Sequence, residues 1–196
     1  VVVGSGSTVG NQMMKDERIA LYTFTGSAKV GLKLKQETGL NRLILELGNN
    51  SPVIVDKEAD VELAAKTIAA QSFAFAGQVC ISVQRIYVHE EVRELFLDKL
   101  KEHMDELKIG DPTDPETDVG PMIAEDEAER AEEWIQEAVK KGATIFYGGE
   151  RDGALLQPTI LTDVKPEMRV VCEEVFAPIA SVIPFSDLKQ CIQEIN

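Results

Sequence analysis

A cysteine in a loop and a glutamate at the end of an apolar segment are the side chains of this 196-residue chain best suited to chemistry. Cys80 lies in the stretch FAGQVCISVQR, between a predicted helix and a predicted strand. A thiol in such a loop is partly exposed, and neighbouring backbone amides can stabilise a thiolate or an oxyanion. The alternative is a buried cysteine that packs as a small hydrophobic residue, which is the commoner fate of a lone cysteine. The local sequence leaves both interpretations open.

Glu46 ends the apolar segment LILE, directly before Leu47 and Gly48. Burying a carboxylate among apolar side chains costs free energy unless the group is paired or has a function. A general base that activates water is one such function. The alternative is a glutamate at the end of a strand that turns to solvent.

The number and spacing of the cysteines and histidines argue against disulfides, a metal site and a Cys–His protease. Cys80, Cys172 and Cys191 are an odd number without close pairing, so they do not indicate a disulfide framework. No CxxC motif or Cys/His cluster predicts a metal site. Reduced cysteines are typical of a cytoplasmic protein. His89 and His103 lie outside any motif of a Cys–His protease.

Charge and hydropathy argue against two classes of binding partner. The chain has 20 basic and 34 acidic side chains, for a net charge of −14, which disfavours nucleic acid and anionic membranes. No apolar run is long enough to span a bilayer. The first residues lack the basic region of a signal peptide and resemble the interior of a protein. We therefore expect a segment of a longer chain that binds neither nucleic acid nor membrane.

Alternating strand and helix patterns predict an α/β fold. A helix capped by Asp60 continues toward Phe75, and Gly77 ends it. Gly142 is predicted at the end of an acidic amphipathic helix, and residues 110–121 form an irregular loop. The predicted strands span residues 1–3, 19–25, 43–47, 52–55, 82–89, 144–147, 157–161 and 180–184. The other predicted helices span residues 28–38, 92–104 and 124–141.

Two glycine-rich turns follow predicted strands. Gly4, Gly6 and Gly10 have the spacing GxGxxxG, which differs from the dinucleotide fingerprint and indicates a simple turn. Gly26 and Ser27 join a strand to a helix. Backbone N–H groups at that helix start, together with the Ser27 hydroxyl, are suited to hold a phosphate.

Six segments together resemble the aldehyde dehydrogenase family, and their order matches across nearly the whole chain. They are FTGSAKVG, LELGNNSP, FAGQVCISVQR, GDPTDPETDVGP, LQPTIL and EEVFAPI. The resemblance implies a three-layer fold, an open sheet with helices on both faces. It also implies that residues 1–47 are the C-terminal part of an NAD(P)-binding domain, and that residues 48–196 are a catalytic domain truncated at its C-terminal end.

The resemblance implies catalytic roles for two residues. The Cys80 thiolate attacks an aldehyde to form a thiohemiacetal, and its backbone amide helps to stabilise the oxyanion. Hydride transfer to NAD or NADP leaves a thioester, which a water activated by Glu46 hydrolyses. The residues implied to contact the cofactor are Gly26, Ser27, Leu47, Glu174 and Phe176.

The sequence departs from the family pattern at two positions. Asn49 replaces the second glycine of the usual ELGG, although asparagine tolerates a left-handed backbone better than most residues. Ala177 stands where the family often has glycine. The front of the cofactor domain, the C-terminal end of the catalytic domain and the oligomerisation strand have no counterpart. The resemblance thus implies a segment of a homo-oligomeric parent enzyme that acts on a small aldehyde.

Two other functions remain open at this stage. A folded but inactive domain would serve as a structural or interaction module. A cysteine-dependent esterase would need only Cys80, Glu46 and water, and so would survive loss of the hydride step.

Overall fold

A computed structural model describes residues 1–195, which form two compact units, Val1–Asn49 and residues 50–195. In the first unit, a π-helical turn at Gly6–Gly10 leads into a short helix, α1 (Asn11–Met14). The unit continues through β1 (Leu21–Gly26), α2 (Ala28–Glu37) and β2 (Arg42–Leu47). The strands β1 and β2 are parallel neighbours, joined by the crossover helix α2.

The second unit is built on a sheet of five strands with the order β3–β4–β9–β8–β5. Its strands are β3 (Pro52–Val55), β4 (Arg85–His89), β5 (Thr144–Tyr147), β8 (Thr159–Thr162) and β9 (Ile179–Phe185). All neighbouring pairs are parallel except β5–β8. A separate hairpin consists of β6 (Arg151–Asp152) and β7 (Leu155–Leu156).

Among the described residues, the second unit also has five α-helices. They are α3 (Val61–Phe73), α4 (Arg93–Asp105), α5 (Glu125–Lys140), α6 (Arg169–Cys172) and α7 (Leu188–Ile195). The Asp60 carboxylate accepts from Leu63 N–H at 3.0 Å and caps α3, as the sequence predicts. The helices α3 and α4 pack against each other, and fully buried apolar residues such as Ala65, Ile86 and Phe96 form the core. The α/β class with a largely parallel sheet flanked by helices is therefore confirmed.

Several predicted elements differ from the structure, including the strands predicted to begin at residues 19 and 157, which begin at Leu21 and Thr159. Residues 1–3 form no strand: their side chains are exposed, and no described strand lies beside them to satisfy their backbone groups. The strand predicted at 82–89 begins only at Arg85, because Ser82 still belongs to the preceding turn and its N–H donates to Val79 O. The helix predicted to reach Phe75 ends at Phe73, because Ala74 leaves the helical backbone conformation and Phe75 is left-handed. Among residues 1–195, no helix combines the length and apolarity needed to cross a membrane.

Candidate active site

The carboxyl ends of β1 and β2 bring four of the candidate residues to one sheet edge. Thr25 is paired with Glu46, and Gly26 with Leu47. Ser27 follows directly and begins α2. In a parallel sheet this edge is where ligands bind, because the following loops and helix N-termini meet there. The first unit thus gathers Gly26, Ser27, Glu46 and Leu47.

The start of α2 has the features of an anion site. The Ser27 hydroxyl oxygen accepts from Val30 N–H at 3.3 Å and caps the helix. No acidic side chain lies in the first turn, which contains Lys29. A helix N-terminus attracts negative charge through its unpaired N–H groups and its dipole. The residues fit a phosphate or pyrophosphate group.

Close packing fixes the position of α2 on β2. A Cβ atom at Gly31 would lie 2.6 Å from the Leu47 Cδ2 atom, so the Leu47 side chain needs a glycine opposite it. Leu47 is therefore packed against the helix that presents Ser27.

Glu46 lies at the end of β2 with its side chain exposed. This placement matches the solvent-facing alternative and leaves the carboxylate accessible to water. The turn after it does not require glycine at Asn49, since neither Gly48 nor Asn49 is among the residues with a left-handed backbone. The replacement of the family's second glycine is compatible with the local backbone.

Cys80 lies beyond an unusual turn at the end of α3. Phe75 and Ala76 have φ values of 53° and 54°, and Gly77 has a φ of 67°. Three consecutive left-handed residues reverse the chain, which then leads to Cys80 and Ile81, both exposed. Ser82 anchors the far side of the turn, because its hydroxyl donates to Ser72 O at 3.1 Å inside the protein. The thiol thus lies on an exposed loop that is fixed at both ends.

The loop before Cys80 touches the segment that contains Glu174 and Phe176. A Cβ atom at Gly77 would lie 2.1 Å from the carbonyl oxygen of Ala177, so the two backbones are in direct contact. Phe176 has a φ of 51° and is partly exposed. Ala177 has no left-handed backbone, which explains why alanine is accepted there. The second unit therefore brings Glu174 and Phe176 into one neighbourhood with the Cys80 loop.

Sequence reasoning missed the side chains that hold residues 173–177. Val175 N–H donates to Gln84 Oε1 at 2.6 Å, and Arg130 Nη2 donates to Val175 O at 3.0 Å. Asn50 Nδ2 donates to Val171 O and Glu173 O. The polar Gln84 between Val83 and the start of β4 was the available signal, because a buried amide needs a partner.

Two arginines, one from α5 and one from α6, pack on a tryptophan of α5. The guanidinium groups of Arg130 and Arg169 lie over the Trp134 ring, at 5.1 Å and 4.7 Å from its centroid. Arg169 also donates to the Glu137 carboxylate, and this contact, together with Lys141, lowers the pKa of Glu137 to about 2. These contacts join α5 to α6, which directly precedes residues 173–177.

With this geometry in place, comparison with known proteins assigns the family. Residues 1–196 match the aldehyde dehydrogenase family. The chain belongs to that family. A 3-sulfolactaldehyde dehydrogenase from Priestia aryabhattai is 47% identical over 196 residues, which are 100% of this chain and 41% of the relative. This aldehyde dehydrogenase chain thus spans less than half of the length of that relative.

Solved aldehyde dehydrogenases have the same fold. An NAD-dependent enzyme from Sinorhizobium meliloti has a TM-score of 0.96 and 34% identity, covering 100% of this chain and 40% of that one. An NADP-dependent glyceraldehyde-3-phosphate dehydrogenase from Bacillus halodurans, solved with NADP, has a TM-score of 0.94 and 34% identity, covering 99% and 40%. Both nicotinamide cofactors therefore occur among the structural neighbours.

Replacing Gly77 with alanine is expected to lower the free energy of unfolding by about 3 kcal/mol or more. The new Cβ atom would meet the Ala177 carbonyl at 2.1 Å in a left-handed backbone, so the two loops must move apart. Denaturant unfolding of the chain measures the effect. Gly153→Ala is the matched control, because Gly153 has a φ of +56° but no atom within 4 Å of the added Cβ. It should cost only about 1 kcal/mol, and equal losses for the two variants would refute the steric explanation.

The three cysteines are expected to differ in their reaction with iodoacetamide. Cys191 is 1% exposed, and burial, reinforced by Glu194, raises the pKa of its thiol, so it should react slowest. Cys80 and Cys172 are both exposed. We expect Cys80 to react faster than Cys172, because a thiol on a catalytic loop favours the thiolate and is accessible. Peptide mapping after brief labelling measures this, and equal labelling of Cys80 and Cys172 would argue against a special role for Cys80.

Proposed function

We propose that this chain is a segment of an NAD(P)-dependent aldehyde dehydrogenase that oxidises an aldehyde to a carboxylic acid. The family match across residues 1–196 is the observation that supports this most strongly. Residues 1–47 are the C-terminal part of the NAD(P)-binding domain, and residues 48–196 are a C-terminally truncated catalytic domain. The division of the chain after Asn49 supports this assignment. The parent enzyme is a cytoplasmic homo-oligomer.

Cys80 is the nucleophile in this proposal. Its sulfur bonds to the aldehyde carbon, and the carbonyl oxygen becomes an oxyanion that the Cys80 backbone N–H stabilises in part. Its place on an exposed loop held by Ser82 and Gly77 supports the role, since attack requires access and a fixed position. The carbon–hydrogen bond of the thiohemiacetal then breaks, the oxyanion becomes a carbonyl again, and a thioester remains on Cys80; the hydride would pass to the nicotinamide of NAD or NADP.

Glu46 is the general base for the second half of the reaction. Its carboxylate takes a proton from water, the resulting hydroxide attacks the thioester carbon, and the carboxylic acid leaves as the Cys80 thiolate is restored. The exposure of Glu46 at the carboxyl edge of β2 supports access to that water.

NAD or NADP would supply the hydride acceptor when bound. Gly26 and Ser27 at the N-terminus of α2 would hold its pyrophosphate, and Leu47 lies at the same sheet edge. Glu174 would hold the nicotinamide ribose, and Phe176 would pack near the nicotinamide. The absence of acidic side chains in the first turn of α2, beside Lys29, supports an anion there.

The substrate is a small 2-hydroxyaldehyde. This proposal rests on the relatives: one is named 3-sulfolactaldehyde dehydrogenase, and a relative from Methanococcus aeolicus, 34% identical, is named lactaldehyde dehydrogenase. The test is the complete enzyme assayed with lactaldehyde, 3-sulfolactaldehyde and unsubstituted aldehydes, with NAD and with NADP, by the absorbance of the reduced cofactor. Oxidation of hydroxyaldehydes above the others supports the proposal. A correctly folded enzyme that reduces neither cofactor with any aldehyde would instead favour a structural module or a simple esterase.

The isolated 196-residue chain is expected to bind NAD weakly or not at all. Its first unit has only two strands, β1 and β2, so it offers the pyrophosphate end of a site without the strands that hold the adenosine in a doubly wound fold. Titration calorimetry measures the affinity. A dissociation constant in the micromolar range for this chain would show that the expectation is wrong.

A further inference from the structure

The backbone of Val175 is held by side chains at both its N–H and its carbonyl group. The N–H donates to Gln84 Oε1 at 2.6 Å, and the carbonyl oxygen accepts from Arg130 Nη2 at 3.0 Å. Val175 and Gln84 are each 1% exposed. Buried backbone groups normally find their partners in helices or sheets, so two side chains from distant parts of the sequence that bind one residue's backbone form a specific clamp.

Gln84 ties Val175 to the Cys80 loop. It lies between Cys80 and the start of β4, and its side-chain oxygen is the atom that accepts from Val175. On the other side of Cys80, Gly77 abuts the Ala177 carbonyl. The loop with the nucleophile therefore contacts residues 175–177 from both of its ends.

Arg130 reaches the Val175 carbonyl from α5 in a fixed orientation. Its Nε donates to Glu127 Oε2 at 2.7 Å, and its guanidinium lies over the Trp134 ring. These two contacts leave Nη2 aimed at the Val175 carbonyl. A planar guanidinium held by an acid and a ring is preorganised, so little freedom is lost when it donates once more.

The clamp explains how Phe176 keeps a left-handed backbone. Its φ of 51° is unfavourable for an aromatic residue and persists only where the surroundings determine it. Val175 is fixed on one side, and on the other Ala177 lies against Gly77. Asn50 holds the start of the segment by donating to Glu173 O at 3.1 Å.

We infer that Gln84 and Arg130 are positioning residues for the cofactor: their clamp on Val175 sets Glu174 and Phe176 relative to Cys80. This inference rests on the proposed function. Neither side chain touches the reacting atoms. Their loss would disturb cofactor binding and hydride transfer, whereas acyl transfer, which needs Cys80, Glu46 and water, would continue.

The test compares two activities of the complete enzyme in Gln84→Met and Arg130→Met. One is aldehyde oxidation at varied NAD or NADP, and the other is hydrolysis of p-nitrophenyl acetate without cofactor. Each variant should raise the KM for the cofactor about 10-fold, the effect of one lost hydrogen bond. Ester hydrolysis should stay within about twofold of the parent. Gln84→Glu keeps an oxygen that accepts from Val175 N–H and loses Nε2, which has no partner among residues 1–195. Because it also adds a buried carboxylate, it should restore part of the affinity that Gln84→Met loses.

Two controls separate this role from a general loss of structure. Arg151→Met removes another arginine that binds α5, through Glu132, without touching Val175, and Gln190→Met removes an exposed glutamine that binds Glu194. Both should keep the parent KM for the cofactor. Arg130 is only half-buried, so if Gln84→Met fails to fold, the result for Arg130→Met alone tests the inference.

The inference is overturned if the clamp variants keep the parent KM, or if they lose ester hydrolysis in parallel with oxidation. These outcomes differ from failure of the proposed function, in which the parent enzyme itself would oxidise no aldehyde.

Discussion

Cys80→Ala should abolish aldehyde oxidation by the complete enzyme, with a loss of about 10⁴-fold or more, as expected when a covalent nucleophile is removed. The hydroxyl of Ser82 on the same loop is buried and donates to Ser72 O, which leaves Cys80 as the accessible nucleophile there. We also expect the 196-residue chain to hydrolyse p-nitrophenyl acetate slowly, and the same substitution should abolish that activity. Release of p-nitrophenol and formation of the reduced cofactor measure the two activities.

Cys172→Ala is the matched control for this substitution, because Cys172 is also exposed and lies at the end of α6. It should keep both activities near those of the parent. If Cys80→Ala hydrolyses the ester as fast as the parent chain, the hydrolysis is nonspecific and the assignment of the nucleophile is wrong.

Glu46→Gln is expected to separate the two halves of the reaction. Acylation needs only the thiolate, so the initial burst of p-nitrophenol should remain. Deacylation loses its base, so the steady rate should fall by about 10² to 10⁴-fold. Stopped-flow absorbance resolves the burst from the steady phase.

Glu37→Gln provides the control, since Glu37 is an exposed glutamate of the same unit at the end of α2. It should leave both phases unchanged. A steady rate in Glu46→Gln equal to that of the parent would rule out Glu46 as the base.

Elements with strong local patterns were predictable from the sequence. The Asp60 cap, the apolar stripe of α5 and the glycine at position 142, which has a φ of 105°, each act through neighbours along the chain. The left-handed backbone at Phe75 and Ala76 was not predictable, because neither residue favours it. Contacts made by the adjoining Gly77 with a distant segment determine that turn. The short helices α6 and α7 were also missed.

The residues of the candidate site also differ in how far the sequence predicts them. Cys80 and Glu46 were recognisable from residue type and local motif, and the structure leaves both exposed, Cys80 on a loop and Glu46 at the end of β2. The clamp on Val175 depends on Gln84, which is 91 positions away in the chain, and on Arg130, which is 45 positions away. Such pairs become visible only when the fold brings them together.

Trapping the thioester tests the proposed mechanism most directly. The complete Glu46→Gln enzyme is mixed with a hydroxyaldehyde and NAD or NADP, quenched in acid, and digested for peptide mass spectrometry. We expect the acyl group on the peptide that contains Cys80, and none when the cofactor is omitted. Formation of the reduced cofactor with no acyl group on Cys80, or with the acyl group on Cys172, would contradict the proposed mechanism.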